Sequence, residues 1–176
     1  MRHHSRFAIA AAVVAVAMGT FAPSALADRH GGNDDQKFVV TIHQGNLAEI
    51  AAGTDTQMNA QDSCVKDVGR TLVRDHTKLD TDVKALAEKL DISLPATPTT
   101  DQQQQLRDIQ DKAGSGGYDT AWLKAQEESH AATLKMIDEE IEDGGDAQVV
   151  AAAQKARPVV EMHLHMVRGG TCHVTG

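Results

Sequence analysis

The sequence predicts an all-α protein: a four-helix bundle with a long crossover between its second and third helices. Three observations carry this. Apolar residues recur at steps of three and four over four separate stretches, the spacing that lines one face of a helix. No alternating strand pattern of useful length interrupts them. Each stretch also holds one metal-capable side chain in the middle of its stripe: Glu49, His76, His130 and His163. A polar group buried without a partner costs roughly 2–7 kcal/mol. Four such groups, one per helix, are therefore expected to meet around a metal ion or in a hydrogen-bond network.

The first helix is expected to start near Asp34 or Asp35 and end at about Asn59, with Val39, Ile42, Asn46, Glu49 and Gly53 on its inward face and Ile50 alongside. The second follows Asp62, a side chain suited to an N-cap. Val65, Val68, Leu72, His76, Leu79, Val83, Leu86 and Leu90 give the clearest periodicity in the chain. From Ser93 to Gly117 the pattern breaks. Pro95 and Pro98 stop the helix, Thr99 and Thr100 suit the start of a short one, and Gln102–Gln105 is a polar turn. Gly114 to Gly117 reads as a hinge. The third long helix runs from about Tyr118 to Glu142, with Trp122, Gln126 or Glu127, His130, Leu134, Ile137 and Ile141 as its stripe. After a Gly144-Gly145 turn, Asp146 caps the fourth. Val149, Ala153, Ala156, Val160, His163 and Val167 fall in register there. Pro158 is expected to kink this helix, and Gly169-Gly170 to end it.

The two cysteines, Cys64 and Cys172, bear on topology. They lie at the expected start of the second helix and end of the fourth. In a simple up-down bundle those ends are ~38 Å apart for helices of about 25 residues. A disulfide needs Cα atoms within about 7 Å. A Cys64–Cys172 bridge therefore requires the Ser93–Gly117 segment to cross the full bundle, the arrangement of ferritin-like folds. Two separate buried thiols are the alternative.

Arg2 and Arg6 precede an apolar run from Phe7 to Met18, and Ala25-Leu26-Ala27 ends in a small-x-small pattern. Residues 1–27 thus read as a secretory signal peptide cleaved after Ala27, with a retained N-terminal anchor as the alternative. The expected organisation is signal peptide 1–27, flexible lead-in 28–35, helical bundle domain 36–168 and C-terminal tail 169–176. The expected location is secreted, in the periplasm or cell envelope, where the disulfide is plausible. After cleavage no membrane-spanning segment is expected. Residues 28–176 hold fifteen basic against 25 acidic side chains, a net charge of −10 with His neutral. That balance argues against nucleic acid, whose binding rests on Lys and Arg, and against anionic lipid. A protein partner is not legible. Self-association into a homo-oligomer is compatible with the sequence.

Glu49, His76, His130 and His163 make a mixed nitrogen–oxygen set for a divalent transition metal: zinc, iron, manganese or copper. A core sealed by a His–Glu network without metal is the alternative. Asp75 is a candidate to orient His76. Glu127 is an additional candidate ligand, because Glu127 and His130 have the Glu-x-x-His spacing of di-iron bundles. That spacing occurs once, with Val73 and Val160 at the equivalent places, so a di-iron carboxylate site is not expected. Glu161, His163, His165 and Met166 form a second cluster, a candidate with His173 for soft-metal capture favouring copper; a solvated Glu161–His165 pair is the alternative, and His163 and His165 lie about 200° apart on a helix. His43 flanks the first stripe. No nucleophile constellation stands out, and whether the protein is an enzyme is not legible.

Phe38-Val39, Asn46-Leu47-Ala48-Glu49-Ile50, Val73-Arg74-Asp75-His76-Thr77, Tyr118-Asp119, His130, and Pro158 followed by His163 resemble an exported bacterial family, domain of unknown function 4142, over roughly residues 36–168. The resemblance implies a ferritin-like fold, a place in the cell envelope, and ligand roles for Glu49, His76, His130 and His163. The chain departs in Trp122, where Tyr is usual, and in Glu127, where an apolar residue is common. The expected function is a secreted, metal-binding helical bundle serving envelope stress or redox protection. The alternative is a non-catalytic structural or interaction module of the envelope, whose buried His and Glu residues bond to each other without metal.

Overall fold

The structure, a computed structural model, describes residues 28–173. The expected signal peptide lies outside the described residues. Among these the chain is all-helical: α1 (Asp28–Asn59), α2 (Ser63–Lys89), α3 (Thr100–Gln110), α4 (Gly117–Asp143) and α5 (Ala147–Val167), closed by a 3-10 turn (Arg168–Gly170). None of the described helices is long and apolar enough to cross a membrane.

The helix starts follow from the capping residues. Asp62 accepts from the Cys64 N–H to open α2, and Asp146 accepts from Gln148 and Val149 to open α5. Thr99 and Gln102 form a reciprocal capping box at α3. Helix α1 starts at Asp28, earlier than the expected Asp34 or Asp35. Residues 32–34 are exposed and Asp35 is the first buried position described, so no apolar stripe marks that first stretch. Helix α5 continues through Pro158.

Side-chain bonds set the helix directions. Both carboxylate oxygens of Asp119, near the start of α4, accept from the backbone N–H groups of Gln61 and Asp62 at the start of α2. The Trp122 indole donates to the Ala52 carbonyl, and the Tyr118 hydroxyl to Asp55, late in α1. At the other end Asp35 accepts from the Gly145 and Asp146 N–H groups between α4 and α5. Helices α2 and α4 therefore run the same way, opposite to α1 and α5.

The segment between α2 and α4 makes the return along α1. Its Pro95 carbonyl accepts from His43, its Thr97 carbonyl from Gln44, and Gln110 donates to Asp55. His43 is thus a buried clamp on the crossover, and it also bonds Asp80 at 2.6 Å. Cys64 and Cys172 form a disulfide with Cα atoms 6.1 Å apart.

Helices α1 and α2 approach closely where glycine permits it. A Cβ on Gly53 would sit 2.6 Å from the Gly69 carbonyl oxygen. One on Gly69 would meet the Gly53 carbonyl at 2.8 Å. Two apolar cores result. One gathers Val65, Val68, Leu72, Tyr118, Trp122 and Val167 at the disulfide end. The other gathers Phe38, Val39, Ile137, Val149, Ala153 and Val160 at the far end. His76, His130 and His163 lie between them in sequence on their helices, as a polar layer at the junction.

Candidate metal centre

All three histidines are buried, with relative exposures of 4 %, 2 % and 0 %. Their ring centroids are 5.1–5.6 Å apart. One ligand nitrogen from each ring lies within 4.8 Å of the other two, a group that could hold a metal ion.

The partners of the outer nitrogens determine what the inner ones can do. His76 Nδ1 donates to the Asn46 side-chain oxygen at 2.9 Å. His130 Nδ1 donates to the Gln126 carbonyl at 2.8 Å, one turn back in its own helix. His163 Nε2 donates to Asp75 Oδ2 at 3.1 Å. A neutral imidazole carries one N–H, so in each ring the other nitrogen holds a bare lone pair. Those nitrogens, His76 Nε2, His130 Nε2 and His163 Nδ1, are buried and have no hydrogen-bond partner among the described residues.

Burial disfavours the charged form of His76 and His163. It holds His76 well below the usual 6.5, and the neighbouring His163 and His130 rings add to this. It also pushes His163 down to about 4, against the raising effect of its bond to Asp75. Burial pushes the Asp75 carboxyl up, but its bonds to Arg74 and His163 outweigh that and hold it below the usual carboxylate value. An imidazole that donates its outer N–H to a carboxylate, an amide oxygen or a backbone carbonyl is oriented as a metal ligand is.

The sequence-expected residues divide. His76, His130 and His163 come together. Glu49 is buried but is not a member of the 4.8 Å group. Its Oε1 accepts from Ser129 and its Oε2 has no partner among the described residues. It lines a cavity together with His76 and His130. Glu127 does not join them: its two oxygens accept from the Gly169 and Gly170 N–H groups and tie α4 to the end of α5.

Asp75 serves His163 rather than His76, because its side chain leaves α2 in a different direction from that of its sequence neighbour. The second cluster is not gathered. Glu161 bonds Arg157, Met166 is buried in the disulfide-end core, and His165 is exposed and stacks on His173. Sequence reasoning missed Asn46 and Gln126 as orienting groups. Asn46 lay on the inward stripe of α1, a polar residue in an apolar row, and that was the available signal.

Residues 20–169 match the family described as Domain of unknown function (DUF4142), and the chain belongs to that family. No curated protein and no solved structure matches the chain.

Proposed function

We propose that the protein is an exported, ferritin-like helical bundle that holds one divalent transition-metal ion through His76, His130 and His163. The observation that carries this reading is the convergence of three buried lone pairs, each fixed inward by a bond on the opposite side of its ring. Three acceptors cannot hydrogen-bond to one another. A Lewis acid satisfies all three at once. Protonation would supply a donor, but burial opposes it at His76 and His163.

Three neutral imidazoles suit zinc, iron, manganese or copper. With three protein ligands, a tetrahedral ion keeps a fourth position for water or another ligand. Tetrahedral zinc at about 2.0–2.1 Å from each nitrogen spaces them about 3.3 Å apart. The rings therefore need to close by at most about 1.5 Å from the 4.8 Å limit. Glu49 acts from the cavity beside the ion, as an acceptor for whatever occupies the fourth position. Export is supported by the disulfide, which persists in oxidising compartments. The ferritin-like assignment is supported by the crossover along α1 and the shared directions of α2 and α4.

The test is elemental analysis of the full chain, purified without an affinity tag or chelator, beside His76→Ala and His130→Ala. One equivalent of metal in the wild type, absent from both variants, is the expected result. No metal in the wild type after incubation with zinc, iron, manganese and copper would overturn the reading. The buried residues would then be a metal-free polar network.

A further inference from the structure

His43 differs from the three clustered histidines in one respect: both of its ring nitrogens meet acceptors. Nδ1 lies 2.6 Å from Asp80 Oδ1 on α2, and Nε2 lies 2.8 Å from the Pro95 carbonyl on the crossover. The other oxygen of Asp80 takes a bond from Lys84 Nζ at 2.6 Å, so this carboxylate accepts on both sides. A neutral imidazole carries one N–H. It would set a bare lone pair against an oxygen at one of its two contacts. His43 is 3 % exposed, so solvent does not supply the missing donor. The ring that satisfies both contacts carries both protons, with its charge balanced by Asp80. From α2 the ring is faced by Asp80, with Lys84 on that carboxylate, and from the crossover by the Pro95 carbonyl.

The part of the crossover that His43 holds is anchored at each end. The Ile92 N–H donates to the Ala87 carbonyl at 2.8 Å, and Thr99 caps α3. Between these anchors Ser93, Ala96 and Thr97 are exposed, while Leu94 is half-buried against the far-end core. Two side-chain bonds join residues 93–98 to α1. Gln44 to Thr97, at 3.1 Å, is exposed and competes with water; His43 to Pro95 is the sheltered one.

A ring that loses one proton keeps the one facing the carboxylate, because a hydrogen bond to a charged acceptor is roughly twice as strong as one between neutral groups. Nε2 then turns a lone pair to the Pro95 oxygen, and that bond is lost. The Asp80 bond still joins α1 to α2, so Leu79, Val83 and Leu86, which line the cavity between the helices, keep their places.

We propose that His43 is a proton-operated latch: with both ring protons it closes the crossover onto α1, and with one it releases residues 93–98 while α1 and α2 stay joined. Histidine suits this role because it changes charge between about pH 5 and 8. None of the three clustered histidines takes part, so the latch is independent of the metal reading.

The experiment is NMR of the full chain, labelled with 15N and with 13C at its methyl groups, from pH 5 to 9 without metal. At the acid end both ring nitrogens of His43 should show a bonded hydrogen, and at the alkaline end Nδ1 alone. The order parameter of the Leu94 methyls should fall in the same step, and those of Leu79 and Val83 should not. His43→Gln carries its amide to the place of Nε2 and donates to Pro95 at every pH, so Leu94 should stay rigid to pH 9. His43→Asn puts its amide at the place of Nδ1 and serves Asp80 alone, so Leu94 should be mobile already at pH 5. Should one variant fail to fold, the other decides, and the wild-type titration decides without either. A ring with one bonded hydrogen throughout, a ring that keeps both to pH 9, or deprotonation that leaves Leu94 rigid would each overturn the proposal. So would a Leu94 step that persists in folded His43→Gln, or a rigid Leu94 in folded His43→Asn.

Discussion

Replacing Asp75 with Asn tests the proposed metal centre without touching any of the three histidines. Asp75 Oδ2 accepts the His163 N–H at 3.1 Å and thereby fixes Nδ1 as the inward lone pair. Removing such a partner typically costs 10–100-fold in metal affinity. The structure places this case at the low end. The Asp75 carboxylate also receives two bonds from Arg74, at 2.7 and 2.9 Å, so part of its charge is already spent. Its side chain is 18 % exposed, which screens the rest. We expect Asp75→Asn to weaken zinc binding about tenfold, or about 1.4 kcal/mol. Arg74→Ala should act in the opposite direction, tightening binding a few-fold by releasing the carboxylate to His163. The assay is competition against a chromophoric zinc chelator, with urea unfolding of the metal-free proteins as a control. Asp75→Asn affinity within twofold of wild type, or weaker binding by Arg74→Ala, would refute the orienting role. A polar network without metal predicts instead that the loss of unfolding free energy is the same with and without zinc.

Three further outcomes are expected. In metal-free Glu140→Gln protein, His163 is neutral when folded down to about pH 4 but takes up a proton near pH 6.5 when unfolded. Its contribution is therefore complete above pH 6.5 and lost as pH falls towards 4. The loss is on the order of 3 kcal/mol for His163, with His76 adding in the same direction; urea midpoints that stay flat between pH 7 and 4.5 would contradict this. The Glu140→Gln background is itself informative. Burial, with Asp35 next in effect, raises the Glu140 carboxyl to about 7, so the wild type loses stability as pH rises from 4.5 through 7, and Glu140→Gln should gain on it at pH 8 but much less at pH 5. Gly69→Ala should destabilise by about 1–3 kcal/mol in urea unfolding, because the added carbon meets Thr56 and the Gly53 backbone and overpacking outweighs the gain in helix propensity; a stabilised variant would show that the α1–α2 contact yields.

Much of this architecture can be read from residue spacing, and the reason is physical. A helix repeats every 3.6 residues, so a polar residue in an apolar row must face inward wherever the helix packs. His76, His130 and His163 satisfied that rule on three helices, and the structure brings all three to one layer. The rule gives a face, however, and not a depth or a partner. Glu49 also faces inward, yet its carboxylate bonds Ser129 from a place beside the layer. His43 faces inward and serves the crossover. Leu79, Val83 and Leu86 kept perfect helical spacing but line a cavity, because spacing on one helix says nothing of how far away the next helix stands.

The partners of the rings depend on register between helices. Asp75 meets His163 from 88 positions away, and Asn46 meets His76 from 30. Register is set by contacts that carry no periodic signal, among them the Gly53–Gly69 approach, Asp119 on the start of α2 and Asp35 on the start of α5. The decisive chemistry lies a step further down, in which nitrogen of each ring carries the proton. That choice belongs to the acceptor on the far side of the ring. An amide oxygen, a backbone carbonyl and a carboxylate, from three different places in the chain, each hold a proton outward. With only one of these acceptors turned into a donor, one lone pair would face outward and the remaining two could share its inward proton. A satisfied histidine network would follow without metal. The case for an ion therefore rests on three orienting bonds agreeing, and that agreement is a property of the packed helices.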